Sequence, residues 1–226
     1  MQPQQGQVMH IKIGQVQMLD FADGSRFESA IRKQPVARVR ITRLGPEGND
    51  VGLKAHHGGI DKAVFMMAAD SLETLGRLTQ SSFRTDDEAV FGENLVLSDL
   101  HEGNVCIGDV YRIGTCLLEI SQPRRPCSRL SKNSGYAQMQ DTVFASGLTG
   151  WYARVLEEGE AAVGDAVSLQ QRLWPQWPVL ALNRLLSQTE PDAASIRQAL
   201  ACDKLADAFK RALEKKLNGD SGKVPG

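Results

Sequence analysis

Residues 110–120, Val-Tyr-Arg-Ile-Gly-Thr-Cys-Leu-Leu-Glu-Ile, hold two short apolar runs on either side of a Gly-Thr pair. The pattern predicts a β-hairpin, because a two-residue turn with glycine first is typical of a type II′ turn. About eight short strands with few long helices between them favour a β-barrel or sandwich over a doubly wound α/β fold. The other short strands are predicted at residues 10–19, 36–42, 63–67, 94–97, 151–156 and 166–169.

The composition is that of an ordinary globular protein. The chain has 226 residues, 42% of them hydrophobic, and a formal net charge of -1, which suits one large domain or one domain with a small appendage. Because the chain is not basic overall, no nucleic-acid polymer is expected as a partner, and any anion site must be local. No apolar run approaches the roughly 18 residues that indicate a membrane span, so no membrane partner is expected.

The cysteines and the polar N-terminus indicate the cellular compartment. The four cysteines show no CxxC pair and no zinc spacing, and residues 1–6 hold no apolar signal core. We therefore predict a cytoplasmic protein with reduced thiols.

The sequence changes character after residue 173. Two prolines break regular structure at residues 174–178, Trp-Pro-Gln-Trp-Pro, and three short amphipathic helices are predicted beyond them. The first helix covers residues 180–187, and the second has Pro191 at its first helical position. Asp203 is predicted to cap the third helix.

The third predicted helix carries an apolar stripe, which we expect to pack into a core. We divide the chain into a β-barrel domain at 10–172, a three-helix domain at 173–219, and flexible termini at 1–9 and 220–226. The stripe consists of Leu205, Phe209, Leu213 and Leu217.

One cysteine lies in a cationic loop just after the predicted hairpin. Residues 121–129 are Ser-Gln-Pro-Arg-Arg-Pro-Cys-Ser-Arg, which places three arginines within three residues of Cys127. Two prolines keep this loop from becoming a helix or a central strand, and nearby cations lower the pKa of a thiol and favour the thiolate. The loop is a candidate site for an anionic ligand, a soft metal or both. The alternative is a buried structural cysteine whose arginines face solvent.

Two further segments are weaker site candidates. His57-Gly58-Gly59 comes shortly before Lys62 and a predicted strand, and its glycines allow backbone amides to approach an anion closely. Glu93 and Asn94 open another strand, where a carboxylate and an amide together can bind the edge of a heterocycle. The alternatives are a tight turn for the first segment and a plain loop-to-strand junction for the second.

The order of these segments resembles that of the MOSC family, the molybdenum cofactor sulfurase C-terminal domain family. The helical tail is similar to that of its YiiM-like branch. The segments that carry the resemblance are His57-Gly58-Gly59, Lys62-Ala63, Phe91-Gly92-Glu93-Asn94-Leu95, Gly108-Asp109 and Gln122-Pro123-Arg124-Arg125-Pro126-Cys127. One departure lies at residues 47–50, Glu-Gly-Asn-Asp, where an asparagine separates a Gly-Asp pair that is common in related sequences.

The resemblance implies a mostly antiparallel β-barrel, joined to a small three-helix bundle, that binds the pyranopterin molybdenum cofactor. Cys127 would be the catalytic residue and would supply its thiolate to molybdenum, for which a soft sulfur ligand is suited. The arginines beside it would hold the thiolate and the phosphate of the cofactor. The residues assigned to cofactor binding in this way are His57, Gly58, Gly59, Lys62, Glu93, Asn94, Gln122, Arg124, Arg125 and Arg129.

The resemblance also implies a reaction. Members of the YiiM-like branch and their relatives reduce N-hydroxylated compounds such as 6-hydroxylaminopurine, so that R-NH-OH, two electrons and two protons give R-NH2 and water. The sequence carries no flavin, haem or iron–sulfur motif, so a separate reductase is expected to supply the electrons. The family as a whole is also associated with pyridoxal phosphate binding, and a homodimer is a further expectation.

Two other functions stay open at this point. Cys127 could carry persulfide sulfur in a cofactor or sulfur carrier that has no turnover of its own. The helical tail could instead make the protein an adaptor.

Overall fold

The computed structural model describes residues 5–21, 23–52 and 58–219. Within these ranges the chain forms thirteen strands and six α-helices, with a short 3-10 helix at Ile60–Lys62. The strands are β1 (Gln5–Ile13), β2 (Gln17–Asp20), β3 (Arg26–Ser29), β4 (Gln34–Val36), β5 (Arg38–Thr42), β6 (Gly45–Pro46), β7 (Val64–Ala68), β8 (Leu95–Ser98), β9 (Val110–Ile113), β10 (Cys116–Pro123), β11 (Trp151–Glu157), β12 (Gly159–Ala162) and β13 (Ala166–Gln171). The helices are α1 (Ala69–Thr79), α2 (Ser128–Ser134), α3 (Met139–Ser146), α4 (Val179–Ser187), α5 (Ala193–Leu200) and α6 (Asp207–Leu217).

Seven of the described strands close into a barrel. Their order is β13-β9-β10-β11-β7-β8-β1, and the pairing of β1 with β13 completes the ring. The pairs in the ring are antiparallel except for β7 with β8, which are parallel. The prediction of a mostly antiparallel β-barrel, rather than a doubly wound fold, is confirmed.

The hairpin predicted at residues 110–120 is formed by β9 and β10. Cys116 pairs with Ile113 across the turn, and Gly114 has a positive φ of 55°. A Cβ atom at this position would lie 2.3 Å from the carbonyl oxygen of Glu160, so both the backbone conformation and the available space require glycine. Strand β10 then continues to Pro123 and leads into the loop that holds Cys127.

The Gly-Asp pair at residues 108–109 supports the framework of the barrel. Asp109 is fully buried, and its two carboxylate oxygens accept hydrogen bonds from Arg172 at 2.8 and 2.6 Å. The same carboxylate accepts from the backbone N–H of Cys106 and from the hydroxyl of Tyr111. Since these protein donors satisfy the carboxylate, this motif holds structure and does not face the site described below.

The helical tail and the barrel share one hydrophobic core. Leu182 of α4 and both Phe209 and Leu213 of α6 are at most 1% exposed. They belong to the same buried cluster as Leu118 and Trp151 of the barrel. The apolar stripe predicted for the last helix is therefore packed inside the protein, as expected for a helix too short to be stable alone.

The structure corrects the predicted start of the barrel. The strand predicted at 10–19 is two strands, because β1 ends at Ile13 and β2 begins at Gln17. Residues 5–9, predicted to be flexible, form the first part of β1 and pair with β13 and β8. Backbone pairing on both sides holds this segment in the sheet.

Two predicted helix starts are also wrong. Pro191 precedes its helix, whose N-cap is Asp192, with a carboxylate that accepts from the backbone N–H groups of Ala194 and Ser195. An N-cap carboxylate satisfies amides that would otherwise lack partners. Asp203 does not cap the last helix, which begins at Asp207.

Candidate cofactor site

A cleft opens beside the loop that follows β10. It contains about 720 Å³ of empty space, a volume that includes the solvent at its open mouth. Its walls come from the segments after β3 and β6, from the start of β7, and from the loops before β8 and after β10. The side chains with polar or thiol groups in the cleft include Lys33, Asn49, Asp50, Lys62, Asn94, Arg124, Cys127, Arg129 and Tyr152.

Cys127 is the only one of the four cysteines that lines this cleft. It is 7% exposed and is the N-cap residue of α2, in an extended conformation. Burial raises the pKa of the Cys106 and Cys116 thiols to about 11, so those two thiols stay protonated at neutral pH. Cys127 is thus the thiol that a ligand in the cleft can reach.

Arg124 places a buried guanidinium in the wall of the cleft. The residue is 6% exposed, and its guanidinium lies 5.5 Å from the centroid of the Phe65 ring. One terminal nitrogen, Nη2, donates to the carbonyl of Phe91 at 3.4 Å. The other, Nη1, is buried without a hydrogen-bond partner among the described residues. A buried unpaired donor of this kind points to a ligand, since buried polar groups are otherwise satisfied.

Aromatic rings and an amide form another part of the wall. Tyr152 packs against Phe65 with ring centroids 5.1 Å apart, and burial raises the pKa of the Tyr152 hydroxyl. Asn94 lines the same cleft, and its side chain accepts from the backbone N–H of Phe65 at 3.2 Å. A flat heterocycle suits such a wall, because it can stack on the rings.

Glu93 lies behind the cleft and does not line it. Its carboxylate forms an ion pair with Lys12 at 2.7 Å, and both side chains are nearly inaccessible to solvent. The second oxygen accepts from the backbone N–H of Phe91 at 3.1 Å. Glu93 thus holds the loop that contains Phe91 and Asn94. It was predicted to bind the cofactor, but in the structure it stabilises the wall of the cleft from behind.

Asn49 fixes the loop at residues 47–50, where the sequence differs from the pattern that the resemblance implies. Its side-chain oxygen accepts from the backbone N–H of Gly14 at 3.3 Å and from the side chain of Asn94 at 3.1 Å. The next residue, Asp50, lines the cleft. Asn49 is therefore part of the hydrogen bonding that joins this loop to Asn94, in the segment just before β8.

Arg129 lines the cleft and also holds a β-hairpin beside it. Its guanidinium lies 4.5 Å from the centroid of Phe27 and donates to the carbonyl of Glu28 at 3.2 Å. Phe27 and Glu28 belong to β3, which pairs with β2 in a separate two-stranded sheet. Because Arg129 already has these partners, it is less available to a ligand than Arg124.

One of the remaining predicted residues belongs to the wall of the cleft. Lys62 lines it, and burial lowers the Lys62 pKa, with further lowering by Arg125 and Arg211 and an opposing effect of Asp61. Gln122 is buried, with its side-chain oxygen unpaired among the described residues. Gln122, Arg125, Gly58 and Gly59 do not line the cleft. His57 lies outside the described residues.

Three residues that line the cleft were not predicted from the sequence: Lys33, Asp50 and Tyr152. Tyr152 follows Trp151, which is 1% exposed, in a strand that was predicted. Alternation would have placed Tyr152 on the face opposite Trp151. Lys33 and Asp50 occur in short irregular segments, and no sequence pattern signals their role.

The residues of the cleft fit the molybdenum cofactor that the resemblance implies. The cleft combines one thiol with buried and half-buried cations, of which Arg124 Nη1 has no partner among the described residues. A thiolate suits a soft metal, and guanidinium and ammonium groups suit a phosphate. Among the described residues, no three His, Cys, Asp or Glu side chains are grouped to hold a metal ion.

Both parts of the chain are similar to known protein families. Residues 54–168 match the MOSC domain, and residues 177–220 match the YiiM-like 3-alpha helix domain. The chain is 34% identical over 210 residues to YflK of Bacillus subtilis (strain 168), covering 92% of this chain and 93% of YflK. It is 33% identical over 189 residues to a Gibberella moniliformis (strain M3125 / FGSC 7600) protein named Reductase, covering 81% of this chain and 33% of that protein.

A solved structure shares the whole architecture. The crystal structure of YiiM from Geobacillus stearothermophilus has a TM-score of 0.77 and 26% sequence identity, covering 94% of this chain and 99% of that chain. The closed barrel, the helical tail and the thiol-bearing cleft together define a β-barrel protein with a cationic cleft. The chain belongs to the MOSC domain family, and its C-terminal match and structural similarity place it on the YiiM-like branch.

The family is generally associated with molybdenum cofactor binding. Within the described ranges, none of the helices is both long and apolar enough to cross a membrane.

Proposed function

We propose that this protein binds the molybdenum cofactor in the cleft and reduces N-hydroxylated compounds, such as N-hydroxylated purines, to amines. The observation that carries the proposal is that Cys127 lines the same cleft as Arg124, whose buried Nη1 has no partner among the described residues. Membership of the MOSC family and similarity to a protein named Reductase support it.

Each residue of the cleft has a role in this proposal. Cys127 Sγ would bind the metal, and Arg124 and Lys62 would neutralise anionic parts of the cofactor. The rings of Phe65 and Tyr152 would pack on a flat heterocycle, with the Asn94 amide nearby for its polar edge. Such a set of groups binds and orients a ligand and excludes water from it.

When bound, the cofactor supplies a centre that exchanges two electrons. The overall reaction takes R-NH-OH, two electrons and two protons to R-NH2 and water. Burial raises the pKa of Tyr152, so its hydroxyl stays protonated and can donate a hydrogen bond to a ligand in the cleft. The electrons would come from a separate reductase in the cytoplasm, since the sequence holds no flavin, haem or iron–sulfur motif. A homodimer remains a prediction.

The test of this function uses protein purified from a host that makes the cofactor. We expect roughly one molybdenum per chain, and conversion of 6-hydroxylaminopurine to adenine with dithionite or a cellular reductase as the electron source. Metal analysis and chromatography of the product measure the two quantities. Protein that contains no molybdenum, or that contains it and reduces no N-hydroxylated compound, would contradict the proposal.

Arg124→Ala is expected to lower molybdenum content more than Arg129→Ala. Arg124 is 6% exposed, and its Nη1 has no hydrogen-bond partner within the described ranges, whereas Arg129 contacts Phe27 and donates to Glu28. Loss of a supporting group of this kind reduces metal retention by about 10–100-fold. Metal analysis of the two variants, prepared in parallel, decides the order. Equal retention would refute it.

A further inference from the structure

The short 3-10 helix beside the cleft depends on tertiary contacts for its position. It consists of Ile60–Lys62, and Lys62 and Ala63, where it ends, line the cleft. A single turn of this kind is too short to be stable alone. It follows Gly59, whose φ of 101° favours glycine, so the chain leading into the turn is conformationally permissive. Contacts from other segments must therefore hold Lys62 at the wall.

Arg154 of β11 joins this turn to the barrel and to the helical tail. Its Nε donates to the carboxylate of Asp61, the middle residue of the turn. Its Nη1 donates to Oε1 of Glu119 on β10 at 2.8 Å and to the carbonyl of Lys204, between α5 and α6, at 2.9 Å. One guanidinium thus connects three segments, because its rigid fork offers several donors at fixed angles.

The charges around Arg154 form a small balanced network. Lys204 Nζ lies 3.2 Å from Oε2 of Glu119, so each oxygen of this carboxylate has a cationic partner. The side chains of Arg154 and Glu119 are 20% and 7% exposed. A network of several charges contributes more than an isolated exposed pair. The tail therefore takes part in the contacts that fix the turn.

Hydrogen bonds to the backbone reinforce the same connection. The hydroxyl of Ser121 on β10 lies within hydrogen-bond distance of the carbonyls of Asp61 and Tyr152. The carbonyl of Ser121 accepts from the N–H of Ala206, which directly precedes α6, at 3.0 Å. The turn, β10, β11 and the tail thus meet at one place. Two of the residues concerned, Lys62 at the end of the turn and Tyr152 of β11, line the cleft.

We propose that Arg154 is a positioning residue of the cleft. By holding Asp61, it fixes the turn that places Lys62 in the wall, and through Lys204 it gives the helical tail a part in forming the site. Arg154 does not itself line the cleft, so it acts through the turn. The inference rests on the proposed function in one respect, namely that Lys62 neutralises an anionic part of the bound ligand.

Hydrogen exchange tests whether Arg154 holds the turn. The full-length protein is taken from a host that makes no cofactor, so that differences in loading cannot affect the rates. The N–H of Lys62 donates to the carbonyl of Gly59 at 3.0 Å, so its exchange reports opening of the turn. In Arg154→Met this exchange should be at least about tenfold faster, since hydrogen bonds between charged groups are lost. The amides that pair β1 with β13 should exchange at unchanged rates.

Molybdenum content tests whether the effect reaches the site through Lys62. In protein from a host that makes the cofactor, Arg154→Met should retain about tenfold less molybdenum than the unmodified protein. In a Lys62→Met background the same substitution should cause no further loss, because residues that act through one contact are not additive. Arg154→Lys keeps a cation for Asp61 but has no planar fork, so it should restore part of the molybdenum content.

Arg112→Met is the matched control, because it also removes an arginine from an ion pair of the barrel. Arg112 on β9 pairs with Glu157 at 3.2 Å, and the two side chains are 42% and 55% exposed. Such an exposed pair contributes little, so the substitution should leave exchange at the turn and molybdenum content unchanged.

Arg154→Met should still fold. Glu119 keeps Lys204 as a partner, and the side chain of Asp61 is 32% exposed, so water can solvate its carboxylate. Urea unfolding of each variant checks this expectation.

Unchanged exchange at Lys62 in Arg154→Met would overturn the inference. Exchange that rises equally in the β1–β13 pair would also overturn it, because Arg154 would then act on the whole fold. A further loss of molybdenum when Arg154→Met is added to Lys62→Met would show that Arg154 does not act through Lys62. If the unmodified protein never contains molybdenum, the proposed function fails, while the exchange rates still decide whether Arg154 holds the turn.

Discussion

Cys127→Ala is expected to purify without molybdenum and to reduce 6-hydroxylaminopurine at least about 100-fold more slowly than the unmodified protein. Loss of residues that merely support a metal ligand already costs about 10–100-fold, and Cys127 is the thiol in the cleft. Alanine has no atom that can bind the metal. The loss should therefore appear in metal content as well as in turnover.

The fold should survive this substitution. Cys127 is 7% exposed at the edge of the cleft, so removing one sulfur atom leaves a small space that is open to the cleft. We expect a cost of about 1 kcal/mol in the free energy of unfolding. The matched control is Cys116→Ala, which removes a fully buried thiol from the barrel core and should keep its molybdenum.

Metal analysis, the reductase assay and urea unfolding of the two variants measure these effects. Cys127→Ala with full molybdenum and full activity would exclude Cys127 as the ligand. A different set of results would favour the alternative function, in which Cys127 carries persulfide sulfur without turnover. In that case, unmodified protein would lack molybdenum and carry an adduct on Cys127 of about 32 Da, the mass of one sulfur atom in a persulfide.

The barrel could be predicted because its strands have short-range signals. In β5, Val39 and Ile41 are buried while Arg38 and Arg40 are exposed, which is the alternation that indicates a half-buried strand. The β9–β10 turn has the glycine that its backbone requires. Such signals depend on neighbours in the sequence, so they are visible before any fold is known.

Helices α2 and α3 were not predicted. They have seven and eight residues, which is too short for a clear helical period and too short to be stable alone. Leu130 of α2 and both Met139 and Val143 of α3 are buried in a cluster with Phe65 and Met67 of β7. Contacts between distant segments stabilise these helices, and no local pattern could reveal them.

Only those residues of the candidate site that belong to recognisable sequence motifs could be predicted. The resemblance identified Lys62, Asn94, Arg124 and Cys127, and the structure places these residues around one cleft. Glu93, in the same motif as Asn94, points away to Lys12 instead. Both residues precede β8, which begins at Leu95, so no strand alternation in the sequence could predict which of the two side chains would line the cleft. The unpredicted members come to the cleft through tertiary structure.

Glu93→Gln is expected to lower the free energy of unfolding by about 3–5 kcal/mol, the usual cost of leaving one member of a buried ion pair without its partner. Lys12 and Glu93 have side chains that are 1% and 2% exposed, so water cannot solvate the ammonium that remains. The glutamine oxygen can still accept from the backbone N–H of Phe91, as Glu93 does at 3.1 Å. The loss is therefore one of charge, with the loop hydrogen bond preserved.

Lys12→Met should cost less than Glu93→Gln, because the pair is not symmetric. Removal of Lys12 leaves a buried carboxylate, but Lys33 is a second buried amine whose charged form Glu93 favours. Protonation of Lys33 can partly replace the lost cation. Removal of Glu93 instead leaves two buried amines and no carboxylate between them. Urea unfolding of both variants at pH 7 measures the difference.

The double variant Lys12→Met/Glu93→Gln tests this interpretation. With neither charge present, it should recover most of the stability lost in Glu93→Gln, since replacing a buried pair by neutral groups is often nearly neutral. The exposed pair Glu73–Arg77, in which both side chains are 68% exposed, is the control, and Glu73→Gln should change stability little. A double variant no more stable than Glu93→Gln would show that Glu93 acts through packing or hydrogen bonding and not through its charge.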